Sequence, residues 1–304
     1  VQSSNTPERA LVSVLEPFDR LGRAPRVQLE ACSSGMLSHL GNLLLCEDAQ
    51  VQDKAVTALM RLQEDCLENR RTLTDANVPF LLCPLLQSGT QTVREAAAAA
   101  LAQFVQANKH EELSVAEQTK EALASADCIP TLRPLLQSSN DKLRMNALSV
   151  LHALSSSPSL VPKMIQAGVV TPTVAMLTQP NASDESLEKA ARIICNVAVT
   201  NKEVRARVHG AGGLAIAVQL LQSPKSALRS CACELINTFS ADLEAQVILR
   251  DSNAVETLLR LLSTGSDAEL IGHRVGSRGF GIYAADALSK MLSTRTDIGY
   301  SHRI

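Results

Sequence analysis

Large aromatic rings are nearly missing from this chain. Its 304 residues include no Trp, two Tyr and five Phe, so aromatics make up 2% against a hydrophobic total of 45%. Such a core must be filled by Leu, Ala and Val, which suits helices better than strands. An excess of one charge is missing as well. With 29 basic and 31 acidic residues and a net charge of −2, no global field draws the chain onto nucleic acid or an anionic membrane surface. Long apolar runs are also lacking. The richest, 211–221, falls far short of the roughly 18 residues of a spanning helix, so no membrane insertion is expected. No signal-like segment opens the chain at Val1.

The eight Cys (32, 46, 66, 83, 128, 195, 231 and 233) include no C-x-x-C pair, and the six His include no His-x-x-x-His pair. No metal and no cofactor are therefore expected. Most Cys lie in apolar helical text, which predicts reduced, buried thiols acting as small hydrophobes in a cytoplasmic protein. On a helix Cys231 and Cys233 point about 200° apart, so one is expected in the core and the other nearer the surface. No nucleophile elbow, paired-carboxylate site or Cys/His arrangement appears, and no enzymatic activity is expected. Asn181-Ala-Ser183 fits a glycosylation sequon but reads as an unmodified turn, with helix resuming from Leu187.

What is present is a repeat. Six segments share one apolar pattern: Leu37-Ser-His-Leu-Gly-Asn-Leu-Leu44, Pro79-Phe-Leu-Leu-Cys-Pro-Leu-Leu86, Ile129-Pro-Thr-Leu-Arg-Pro-Leu-Leu136, Val170-Thr-Pro-Thr-Val-Ala-Met-Leu177, Leu214-Ala-Ile-Ala-Val-Gln-Leu-Leu221 and Val255-Glu-Thr-Leu-Leu-Arg-Leu-Leu262. Their last leucines step by 42, 50, 41, 44 and 41 residues, a period in the roughly 40–47 range of helical solenoids. A polar turn follows each anchor. A helix then carries Ala and larger apolar residues at offsets of four and three, as in Ala55/Leu59/Leu62, Ala97/Leu101/Phe104, Ala147/Leu151/Leu154, Ala190/Ile194/Val197 and Ala232/Ile236/Phe239. That spacing keeps one stripe on the neighbouring layer. A short helix precedes each anchor, and Gly168 or Gly210-Ala-Gly-Gly213 supplies its αL stop.

This three-helix unit resembles the armadillo repeat, most visibly from Glu68-Asn-Arg-Arg-Thr-Leu to Leu86 and from Asn201-Lys-Glu-Val-Arg-Ala-Arg-Val-His-Gly to Leu221. The resemblance covers about 25–293. It implies an all-α, right-handed α-solenoid of about six to seven armadillo-like repeats, read as a single domain over 1–304. A degenerate N-terminal repeat is expected at about 1–24, with a helix around Glu8–Leu21, a Gly-rich insertion at about 265–281 and a C-terminal tail at 294–304. HEAT repeats are the close alternative; the extra short helix and the Gly before the anchor favour armadillo.

The resemblance also implies that each third helix lines a concave groove, where transport adaptors of the family hold extended peptides with a repeated Trp and Asn. At two and six positions after the aligned Ala this chain reads Thr57/Arg61, Ala99/Gln103, Ser149/Ala153, Arg192/Asn196, Glu234/Thr238 and Asp286/Lys290. Only Asn196 keeps the Asn, and there is no Trp, which argues against cargo carriage of the nuclear-import kind. Two before the Ala come Asp53, Glu95, Met145, Glu188 and Ser230. The candidate partner-binding residues are Arg61, Gln103, Ser149, Arg192, Asn196, Glu234 and Lys290, a mixed-charge groove for a helix or folded protein surface. The alternative is a solvated face carrying intramolecular pairs such as Glu188–Arg192.

Two irregularities break the period. The step from Leu86 to Leu136 holds Gln106–Asp127, where Ser114 and Glu117 form a capping-box pattern and predict a lengthened helix. The anchor-to-Ala distance is 11 in four repeats but 22 from Leu262 to Ala284. The added Gly272-His-Arg-Val-Gly-Ser-Arg-Gly-Phe-Gly281 offers backbone amides with His273, Arg274 and Arg278 as a candidate anion-binding loop, though without a Walker signature. The expected function is a non-catalytic scaffold or adaptor, a subunit of a large cytoskeletal or ciliary assembly by family analogy. The alternative is a regulatory solenoid restraining an appended enzymatic domain or responding to a small ligand.

Overall fold

The computed structural model describes residues 7–64, 66–88, 90–105, 113–179, 182–199, 201–264 and 280–300. Every regular element among them is helical. They form two compact units, Val1–Ala167 and Gly168–Ile304.

In the first unit, repeat 1 comprises Pro25–Ser33, Met36–Leu43 and Ala49–Gln63, and repeat 2 comprises Leu67–Asp75, Val78–Leu85 and Gln91–Val105. Repeat 3 comprises Leu113–Ser125, Cys128–Leu132 with a 3-10 turn at Arg133–Gln137, and Asp141–Ser155. The short helix Val161–Gln166 closes the unit. Pro134 stands in the first turn of this 3-10 segment, where its lack of an amide hydrogen leaves one rung of the α ladder unmade. Pro7–Leu15 and Phe18–Leu21 pack on Ala49–Gln63. The chain crosses closely enough there that a Cβ on Gly22 would lie 2.6 Å from that of Arg61.

The second unit opens with Val170–Leu177 and Asp184–Ala198. Lys202–Gly210, Gly213–Leu220 and Ser226–Phe239 follow, then Leu243–Asp251, Ala254–Thr264 and Phe280–Tyr300. That last helix runs through the stretch expected as a tail from residue 294.

The repeat register is met in the core. Of the six anchors, Leu44, Leu86, Leu136, Leu177 and Leu221 are buried and Leu262 is half-buried, and Ala55, Ala97, Ala147, Ala190, Ala232 and Ala284 are each 0% exposed. Small alanines allow third helices to pack directly on one another: Ala49–Gln63 on Gln91–Val105 on Asp141–Ser155 in the first unit, and Asp184–Ala198 on Ser226–Phe239 on Phe280–Tyr300 in the second. Side chains from the polar turns cap several of these helices. Asp48 accepts from the amides of Gln50 and Val51, Asn140 from Lys142 and Leu143, and Ser183 from Ser186.

The lengthened helix is present as Leu113–Ser125, with Glu117 accepting from Lys120 and Ser157; the side chain of Ser114 lies outside the described residues. Three details differ from the sequence expectations. The helix expected from Leu187 already starts at Asp184, capped by Ser183. Cys231 and Cys233 are both 0% exposed, because their helix is covered by Gly213–Leu220 as well as by the third helices on either side. Finally, Cys83 and Cys128 are disulfide-bonded, with Cα atoms 5.4 Å apart, where the sequence pattern predicts reduced thiols.

Candidate functional site

The third helices bury one stripe and leave another half-exposed. Thr57, Arg61, Ala99, Gln103, Ser149 and Ala153 in the first unit all occupy the half-exposed stripe, as do Arg192, Asn196, Glu234, Thr238 and Lys290 in the second. The helical period that fixes the Ala stripe in the core turns these positions outward.

In the first unit the stripe borders a groove of ≈ 650 Å³ lined by Asp53, Thr57, Arg61, Glu95, Ala99 and Met145, among others. Gln103 and Ser149 do not line it. Asp141, Lys142 and Asn146 do; they lie one turn N-terminal of the stripe positions and are missed by following the Ala register alone. Glu95 anchors one wall, accepting from Gln91 Nε2 at 2.7 Å and from Asn140 Nδ2 of the next repeat at 2.6 Å. These two bonds, with Lys142 and Arg94 nearby, hold its carboxyl below the usual carboxylate range. Arg61 stands on the other wall, its Nη1 3.6 Å from Glu64 Oε2. The groove thus presents fixed carboxylate and guanidinium groups around the apolar surfaces of Met145 and Ala99.

Gln103 serves a different purpose. Its Nε2 donates to the Met60 carbonyl at 3.1 Å, and its Oε1 accepts from Gln63 Nε2 at 3.4 Å, joining repeats 1 and 2. Ser149 donates to Met145 O of its own helix at 2.9 Å.

In the second unit Glu188 and Arg192 pair at 3.1 Å, the intramolecular arrangement foreseen for a solvated face. Lys290 reaches Asp286 at 2.9 Å and donates to Asn237 Oδ1 of the preceding repeat at 2.7 Å. The Lys290 hydrogen bond also lowers the pKa of Asp286. Burial pushes the thiols of Cys231 and Cys233 up to about 12 and raises that of Cys195 well above its ordinary value. These sulfurs are neutral packing groups at physiological pH. Among the described residues no group of three or more His, Cys, Asp or Glu could hold a metal ion, and no helix is long and apolar enough to cross a membrane. His273, Arg274 and Arg278 of the Gly-rich insertion lie outside the described residues.

Three-helix repeats stacked through an Ala stripe, with the opposite stripe half-exposed, define an armadillo repeat protein. The chain belongs to the family described as the plant U-box protein ARM repeat region, whose model matches residues 38–262. Among solved structures, it is similar to the designed armadillo repeat protein YIII(Dq)4CqI at 24% identity, over 84% of this chain and 99% of that one, with a TM-score of 0.69. Computationally designed armadillo repeat proteins for modular peptide recognition match with the same identity and coverages and a TM-score of 0.70. A designed armadillo protein in complex with the peptide (KR)4 matches at 22% identity, over 84% of this chain and 99% of that one, with a TM-score of 0.67. No curated protein matches.

Proposed function

We propose that this chain is a non-catalytic scaffold that holds protein partners on the half-exposed faces of its third helices. The groove of the first unit carries the reading: an open, ≈ 650 Å³ surface with apolar patches between charges already fixed in place. Prepositioned polar groups lower the ordering cost of binding, which favours recognition of a particular partner. The peptide complex of the designed armadillo protein supports a role in holding protein chains. The missing Trp ladder and the engagement of Gln103 between repeats separate this chain from general carriers of basic peptides.

The partner is a helix or folded protein surface, not nucleic acid, and the setting is a cytoplasmic assembly, cytoskeletal or ciliary. A second reading, an armadillo region regulating an appended domain, is favoured by the family description, which names an ARM region of U-box proteins. In that reading too the third-helix faces hold the regulated or recruited protein.

The test is cross-linking mass spectrometry of the full chain with its captured partner, comparing wild type with Arg61→Glu/Arg192→Glu and with Arg133→Glu, an exposed site off the third helices. Cross-links on the third-helix faces, lost in the double variant and kept in the control, are expected. Undiminished capture by the double variant would remove the faces from the function.

A further inference from the structure

We propose that Cys83 and Cys128 form a redox-controlled latch between repeats 2 and 3, setting the rigidity of the layers behind the first unit's groove. The two residues lie on the second helices of successive repeats, 45 positions apart in sequence, with Cα atoms 5.4 Å apart. That separation lies within the range a disulfide spans without backbone movement. Val78–Leu85 carries Cys83 and packs on the third helix Gln91–Val105; Cys128–Leu132 carries Cys128 and packs on Asp141–Ser155. Those two third helices supply Glu95, Ala99 and Met145 to the groove. The covalent bond therefore ties together, from behind, the elements that set the width of the binding surface.

Both chemical states are accommodated. The Cys83 sulfur lies 3.4 Å from the Pro79 carbonyl oxygen, so the thiol formed on reduction has an acceptor within reach. Both residues are nearly sealed, at 1% and 0% exposure. Exchange with bulky thiols therefore requires the repeats to open, and the bond, once made, is protected from reductant.

A peroxide is the small oxidant that fits such a site. It converts one thiol to a sulfenic acid and releases a first water. The second thiol then attacks that sulfur; the S–S bond forms, the S–O bond breaks, and the hydroxyl leaves with the remaining thiol proton as a second water. The cysteines lose two electrons and two protons, and the peroxide accepts both.

The experiment uses the full chain, reduced by prolonged incubation with dithiothreitol so that the repeats open, desalted, exposed to hydrogen peroxide, then unfolded in guanidinium chloride containing N-ethylmaleimide and digested without reductant. A peptide pair joined through Cys83 and Cys128 is expected in the mass spectrum, with every other cysteine alkylated. The oxidised chain should exchange amide hydrogens at least about tenfold more slowly over 78–105 and 128–155. Its melting temperature should rise by roughly 5 °C. Both shifts should disappear in Cys83→Ala/Cys128→Ala, while the comparison of oxidised with reduced wild type needs no variant to fold. Alkylation of both residues after peroxide overturns the proposal. So does a linked chain whose exchange and melting match those of the reduced form. Neither result depends on what occupies the groove.

Discussion

All positive-φ residues among those described fall at one place in the repeat, nine positions before the anchor leucine: Gly35, Asn77, Asp127, Gly168, Gly212 and Asn253. This is where the first helix must reverse into the second, and the left-handed conformation makes the corner. The glycines are legible in the sequence as helix stops. Asn77, Asp127 and Asn253 are not, because Asn and Asp suit many loop conformations and only the six-fold register reveals the shared role. A methyl group added to Gly212 would meet no other atom within 4 Å, so Gly212→Ala isolates the backbone cost. We expect a loss of about 1–2 kcal/mol by denaturant titration, and a gain of about 0.5–1 kcal/mol for Asp127→Gly. A second residue-scale prediction concerns pH. Hydrogen bonds from Lys120 and Ser157 hold Glu117 below the ordinary carboxylate pKa of 4.5. Because the folded value is the lower one, its contribution is present above the unfolded value and is lost as pH falls through the folded one. The melting difference between wild type and Glu117→Gln should therefore be greatest near neutrality and vanish in acid. A difference independent of pH would show that the charge is immaterial.

At the scale of the element, the third helices are defined by two devices, one visible in the sequence and one not. The Ala stripe is visible, because a helical period of small residues shows within a single segment. Leu in place of Ala147, which is 0% exposed on a helix packed against Gln91–Val105, should overpack that contact. A destabilisation of about 1–3 kcal/mol is expected, measurable by thermal melting. The hidden device is a clamp on the turn before the helix. Arg94, Arg144 and Arg229 each donate to the carbonyl of a serine six residues earlier, Ser88, Ser138 and Ser223. Gln52 does the same to Cys46 at 2.7 Å. An exposed-looking Arg in a first turn gives no hint of a partner until the loop is closed. Arg144→Ala, which also loses Asp141, should cost about 1 kcal/mol and speed amide exchange selectively across the 138–143 turn.

The whole molecule is organised by contacts between adjacent layers, and this sets what sequence reading can and cannot supply. The period, the helix count and the outward stripe all follow from information inside one repeat, so they are legible. Whether a stripe residue faces a partner or a neighbouring layer depends on inter-layer geometry. Gln103 and Lys290, which the register alone offers as binding groups, are for that reason found bonded to the preceding repeat. Local contacts also predict how the chain unfolds. In a stacked array, stability is approximately a sum of repeat terms and nearest-neighbour interface terms, so damage stays near its origin. The described residues gather into two compact units, Val1–Ala167 and Gly168–Ile304. A substitution deep in the first, such as Ala97→Leu at 0% exposure, should therefore raise amide exchange throughout repeats 1–3 and leave Ser226–Phe239 protected. Equal loss of protection in both units would mean that the chain unfolds as one cooperative body, and that a partner bound to one groove stabilises the entire array.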